Sequence, residues 1–129
     1  MRSLTHSRRR LLHEGLERRT LLTADPVITE ILADNEQTLL DYDDDASSWI
    51  EITNEGTSQV DLNSWYLTDN AGNLDKWQFS SSTVLGPGDQ IVVFASNKNF
   101  TAPGGEHHTN FRLDPDGEFL ALVQPDGTT

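Results

Sequence analysis

The sequence predicts an all-β sandwich behind a basic leader, and three observations carry that reading. From Pro26 onward, apolar stretches of five to eight residues alternate with clusters of Asn, Asp, Gly, Ser and Pro, the punctuation of short strands joined by turns. No window sustains a helical period. Pro-Asp-Gly occurs twice, at 115–117 and 125–127, each suited to a type I turn with proline second. A chain of 129 residues holds one core but not two, so residues 1–25 are read as the leader and 26–129 as the sandwich.

The elements follow in order. Val27 to Leu32 is the first strand, closed by "ADNEQ". The acidic stretch "LLDYDDD" precedes a second strand, Trp49 to Thr53, with Ile50 and Ile52 on one face and Trp49, Glu51 and Thr53 on the other. After the turn "NEGTSQ", Val60 and Leu62 lead into "SWYLTD", where Trp65 and Leu67 share a face and Tyr66 and Thr68 share the other. "DNAGN" turns the chain, Lys76 to Phe79 is a short strand, and "LGPGDQ" is a tight turn feeding "QIVVFAS". That last run is apolar on both faces and is expected to be a central strand.

Residues 97–110 read as the longest loop, and by length a candidate recognition surface. The strand Glu118 to Val123 is expected to set Phe119, Ala121 and Val123 against Leu120 and Leu122. Only two residues follow the second Pro-Asp-Gly, so the expectation is a C-terminally truncated sandwich, or one whose last hairpin another chain completes, with an open edge strand inviting association.

Charge is divided unevenly. The first 22 residues hold six of the nine basic residues, leaving three basic and nineteen acidic residues beyond them, a net of −16. That field argues against nucleic acid, which requires clustered Lys and Arg to release counterions. With no cysteine, disulfides, thiolate metal sites and cysteine nucleophiles are excluded. No apolar run approaches the ~18 residues of a spanning helix, so an integral membrane protein is not expected. The leader has the arginines of an export signal but only Leu-Leu pairs where an apolar core belongs, and it reads as a disordered basic tail or a short helix through Leu12 and Leu16.

Four motifs stand in order: Trp49-Ile50-Glu51-Ile52-Thr53-Asn54, Leu62-x-x-Trp65-x-Leu67-x-Asp69, Lys76-Trp77-x-Phe79 and Gly86-x-Gly88. Over residues 27–128 the chain resembles the bacterial lamin-tail domain. That resemblance implies an immunoglobulin-like β-sandwich and, in bacteria, a noncatalytic module of exported or surface proteins, sometimes joined to hydrolases, nucleases or a CotH-type kinase-like domain. Separately, "RRRLLHEGLERRTLLTA" resembles a leader that opens many large exported planctomycete proteins, which implies export and a secreted or cell-surface location.

The candidate sites are few. Asp41, Asp43, Asp44 and Asp45 cluster, and with Asp41 as first ligand an EF-hand would need glycine at Ala46 and glutamate at Ile52, so that motif is rejected. A looser Ca²⁺ loop stays as one reading, set against a solvated acidic turn. Glu51 is a lone strand carboxylate, expected on the solvent face or paired with Lys76, and a lone acid is not a mechanism. His107 and His108 are adjacent and point to opposite sides of an extended chain, so they cannot share an ion; they are expected to be exposed loop residues. No catalytic motif is present, so an enzyme is not expected.

Of the tryptophans, Trp65 is assigned to the core and Trp49 and Trp77 to its border. Exposed together, Trp49 and Trp77 would offer sugars a flat aromatic platform. The sequence thus predicts a noncatalytic interaction or spacer module of an exported protein, with a protein or surface polysaccharide as partner. The alternatives are a carbohydrate-binding module using Trp49, Trp77, His107, His108 and the 97–110 loop, or the front of a larger hydrolase or CotH-like kinase whose catalytic domain lies beyond Thr129.

Overall fold

The computed structural model describes residues 23–35, 39–117 and 119–127. Residues 1–22 of the leader, read as a disordered basic tail or a short helix, and Glu118 at the start of the expected last strand lie outside the described residues. Among the described residues ten strands form: β1 Pro26–Leu32, β2 Ser48–Asn54, β3 Val60–Asp61, β4 Tyr66–Thr68, β5 Trp77–Gln78, β6 Val84–Leu85, β7 Gln90–Ala95, β8 Phe100–Ala102, β9 Glu106–His108 and β10 Ala121–Val123. They build a five-stranded sheet in the order β1-β2-β7-β9-β8, a three-stranded sheet β10-β4-β5 and a two-stranded ribbon β3-β6.

Alternation builds the core between the sheets. Ile50 and Ile52 of β2 are fully buried, as their shared face predicts, and meet Ile28, Val93 and Ala95 of their own sheet. Leu67, Trp77, Phe79, Leu62, Leu85 and Leu120 close on them from the opposite side. β7 lies between β2 and β9, the interior place expected of its two apolar faces. Its pairing with β9 is parallel, because the chain leaves β7, forms β8 at the sheet edge and returns through an antiparallel hairpin into the gap.

Local chemistry fixes the corners. Gly86-Pro87-Gly88-Asp89 is a β-turn closed by Asp89 N–H donating to Gly86 C=O at 3.0 Å, and Gly88 takes φ +84°, which a Cβ would resist. The motif strand β2 ends on Asn54, whose buried amide joins three segments. Its Oδ1 accepts from the backbone N–H groups of Asp25 and Gly56, and its Nδ2 donates to the carbonyls of Ser58 and Leu85. Thr23–Asp25, placed in the leader by sequence, run beside this turn: Thr57 N–H donates to Thr23 C=O at 2.8 Å and Glu55 N–H to Asp25 C=O at 2.9 Å.

Two expectations about the strands need correction, and one strand appears that the sequence does not announce. The 97–110 segment is not a loop, since it supplies β8 and β9. Its polar side chains hid strands whose ladder hydrogen bonds involve only backbone. The ribbon strand β6 also went unread, because two residues are too few to show alternation. Phe119 does not share a face with Ala121 and Val123; it precedes β10 and is exposed, while Leu120 is buried.

Candidate functional site

Strand register places two rows of side chains across the five-stranded sheet. Trp49, Phe94, His108 and Phe100 stand directly opposite one another in β2, β7, β9 and β8, and so share the outer face. Ile50, Val93, His107 and Thr101 form the adjacent row on the inner face. The two histidines therefore point to opposite sides, as their adjacency requires. Neither is an exposed loop residue, however, for His107 and His108 are both buried in β9.

On the outer face, the His108 ring is sandwiched between Phe94 and Phe100, at centroid distances of 5.5 and 4.7 Å. Its Nδ1 lies 2.8 Å from Ser96 Oγ and its Nε2 lies 2.7 Å from Glu106 Oε1. A serine, a histidine and a carboxylate in a chain bring a hydrolytic triad to mind, but the ring nitrogens are exchanged, since a triad sets its serine on Nε2 and its carboxylate on Nδ1. Here Ser96 is only 3% exposed and His108 fully buried, so the chain ties the residue that follows β7 to β9 rather than meeting a substrate. Glu106 Oε1 also accepts from Tyr42 N–H at 2.8 Å, which ties the acidic loop to β9.

His107, on the inner face, packs edge-on against Phe79 and Trp77 at 5.1 and 6.1 Å. Its Nε2 lies 3.1 Å from Thr83 Oγ1. Burial lowers its pKa, and the proximity of His108 lowers it further, so this ring is held neutral.

Three of the four clustered aspartates converge. Asp41, Asp43 and Asp45 bring carboxylate oxygens within 4.8 Å of one another, while Asp44, at φ +63°, stays outside the group. A cation already stands among them. Lys98 Nζ donates to Asp41 Oδ2 at 2.9 Å and to Asp43 and Asp45 Oδ2 at 2.8 Å each. Asp41 is the buried anchor: its Oδ1 accepts the N–H groups of Asp43 and Asp45, and Ser47 Oγ donates to its Oδ2. Burial acts to raise its pKa, but the Lys98 ammonium and these hydrogen bonds outweigh that and hold it at about 2. Burial likewise acts to lower the Lys98 pKa, and the three carboxylates more than reverse it.

This arrangement has the donor set of a hard-cation loop, yet Ca²⁺ would have to displace an ammonium held by three carboxylates. Sequence reading did not single out Lys98. The signal that could have found it is scarcity: beyond position 22 only Lys76, Lys98 and Arg112 are cationic, and in so acidic a chain each has carboxylates to meet. Lys76 pairs with Asp69 at 2.7 Å rather than with Glu51. Glu51 instead accepts from Thr29 Oγ1 at 2.7 Å.

The tryptophans reverse their expected places. Trp49 and Trp77 are 8% and 7% exposed, and Trp65, assigned to the core, is half-buried at its border. Trp49 is drawn in by its cross-strand neighbours Leu32 and Phe94, and Trp77 by edge-on packing with Phe79 at 4.8 Å. An exposed two-tryptophan platform is therefore absent. A shallow cleft of about 240 Å³ does open between β5 and β8, which edge their respective sheets, and Trp77 and Phe100 both line it.

Two facing sheets, a Greek-key-like mixing of early and late strands, and a site of internally satisfied polar groups define an immunoglobulin-like β-sandwich module. The chain belongs to the lamin tail domain family, whose model matches residues 22–129. That family is a noncatalytic immunoglobulin-like fold. A comparison with curated proteins found no match. Among the described residues no helix is long and apolar enough to cross a membrane.

Proposed function

We propose that the chain is a noncatalytic interaction or spacer module of an exported or cell-surface protein. The observation that carries this reading is how the reactive groups are used. The Ser96–His108–Glu106 chain is closed by burial, and the aspartate cluster is filled by Lys98. Both join separate strands and loops into one rigid body, which is what a presenting scaffold needs. Excess negative charge supports an extracellular, soluble setting, and the arginine-rich leader supports export.

The test uses the full chain as a fluorescent conjugate incubated with intact bacterial cells and with isolated cell-wall polysaccharide. Saturable retention on surface material, with that material chemically unchanged after prolonged incubation, is the expected result. Release of sugars or peptides from it would overturn the noncatalytic reading, and no retention on any surface fraction would overturn the interaction role in favour of the spacer.

A further inference from the structure

We infer that the outer face of the five-stranded sheet, where the 39–45 loop meets the β8 edge, is a docking surface for the chain's own basic leader, with Leu11 and Leu12 against its apolar side chains and the flanking arginines against its aspartates. The contact lies within one chain, so it stands or falls independently of what the module binds.

The surface is at once apolar and acidic. Leu39, Leu40, Tyr42 and Phe100 are four of the six large apolar side chains exposed among the described residues, so exposed apolar surface is concentrated at this end of the sheet. Tyr42 and Phe100 are gathered by one chain of contacts: Tyr42 N–H donates to Glu106 Oε1 at 2.8 Å, Glu106 Oε1 meets His108 Nε2 at 2.7 Å, and the Phe100 ring lies on His108 at 4.7 Å. Leu39 and Leu40 belong to the same loop as Tyr42, whose base is held by Asn35 Nδ2 donating to the carbonyls of Leu39 and Ser47. Among them stand Asp34, Asp41, Asp43, Asp44 and Asp45, of which all but Asp41 are exposed. Lys98, inside the cluster, and Arg112, opposite Ser96, are the cations at this end. Five carboxylates against two cations leave three negative charges before Glu106 is counted.

The leader has the complementary composition. Residues 8–22 carry five arginines against Glu14 and Glu17, a net of +3, with Leu11, Leu12 and Leu16 among them. No later segment offers this pairing of charge and leucine, since only three cations lie beyond position 22. Opposite charges around an apolar contact fix both partner and register.

Reach selects the leucines. Thr23 is fastened beyond the far end of β1, where its C=O accepts from Thr57 N–H at 2.8 Å. From there Phe100 lies about 20 Å away along β1 and about 19 Å across the four strand spacings of the sheet, or about 28 Å on the diagonal. Leu12 stands eleven residues before Thr23 and can span up to about 36 Å, whereas Leu16, at seven residues, spans about 23 Å and Leu21 and Leu22 far less. The tether supplies an effective concentration on the order of 1 mM, enough to populate a contact too weak to form between separate molecules.

The test uses the full chain, which has no cysteine, with a nitroxide attached through Ser7→Cys and amide NMR signals compared with the label oxidised and reduced. Broadening is expected at residues 40–45 and 99–101 and not at 66–68 or 121–123 of the opposite sheet, and it should persist on dilution. Leu11→Ser with Leu12→Ser should reduce it about threefold or more, while Leu21→Ser with Leu22→Ser should leave it within about twofold. Tyr42→Ser, which removes an exposed side chain and keeps the backbone bond to Glu106, should reduce it as the Leu11 and Leu12 changes do. Raising the salt to about 0.5 M should weaken it further. The leader variants lie outside the sandwich, so they decide the matter even if Tyr42→Ser fails to fold. No broadening at 40–45 and 99–101, broadening centred elsewhere, or broadening indifferent to Leu11, Leu12 and Tyr42 would each overturn the inference. Equal broadening on unlabelled chains mixed with labelled ones would also overturn it, by assigning the surface to a second copy.

Discussion

Lys98 reaches the buried carboxylate of Asp41, 57 positions earlier in the chain, at 2.9 Å. The contact closes the loop between β1 and β2 onto the segment after β7, and Asp43 and Asp45 complete the ammonium's surroundings. Replacing Lys98 with Met would leave Asp41 buried beside two like charges. A loss of about 2 kcal/mol is expected by chemical denaturation, below the ~3–5 kcal/mol of a fully buried pair because Asp43 and Asp45 are largely exposed. An unchanged midpoint would mean that the cluster is solvated and Lys98 incidental.

The same contact bears on calcium. With the ammonium in place, millimolar Ca²⁺ should leave the melting temperature of the native chain unchanged. In Lys98→Met the three converged carboxylates are freed, and Ca²⁺ should then raise the melting temperature by several degrees. A comparable Ca²⁺ stabilisation of the native chain would show that the metal displaces Lys98.

Acid sensitivity follows from Asp41 and His107. Asp41 is held at about 2 in the folded chain against about 3.9 unfolded, so its contribution of about 2 kcal/mol is complete above pH ~4 and lost as pH falls toward 2. The lowered His107 value acts at higher pH. Below about 6.5 the unfolded chain takes up a proton that the folded chain refuses, so stability declines as pH drops from there. Denaturation midpoints against pH should show both limbs. His107→Gln should flatten the upper limb and leave the lower.

Asn54 gives the strongest single-residue expectation. Asn54→Ala removes four side-chain hydrogen bonds and strands two backbone N–H groups and two carbonyls. A loss of about 3 kcal/mol or more is expected in urea. Asn54→Asp keeps the acceptors but loses both donations and buries a charge, and should be no milder. If either variant melts like the parent, the amide is not the joint described.

Gly56 is required by close approach rather than by backbone conformation. A Cβ there would lie 2.1 Å from Thr23 C=O. Gly56→Ala should detach residues 23–25 from the turn while the sheets persist. Hydrogen exchange should then speed up at the amides of Thr57 and Ser58, which donate to Thr23 C=O. Unchanged protection would refute the contact.

The fold was legible wherever a strand's pattern is carried by apolar alternation or by turn residues. Ile50 and Ile52 announced β2, the two-faced run Ile91 to Phe94 announced the interior strand, and Gly86-Pro87-Gly88 announced the turn before it. β8 and β9 were not legible, because "FTA" and "EHH" carry no alternation and form a sheet only through backbone bonds to a partner already in place. The site was legible in its acidic half alone. Asp41, Asp43 and Asp45 are visible as a cluster, but the cation that fills it comes from a distant loop.

Sequence by itself determined the strand-and-turn order, the family to which the motifs lead, and the absence of thiol chemistry, since these depend on local composition and spacing. Tertiary structure decided what the polar groups do. It buried Trp49 and Trp77, turned His107 inward and His108 outward into occupied places, and set Lys98 among the aspartates. Burial and charge pairing are properties of which strands become neighbours. Strand order β1-β2-β7-β9-β8 is set by contacts between residues far apart in the chain, which no local pattern encodes.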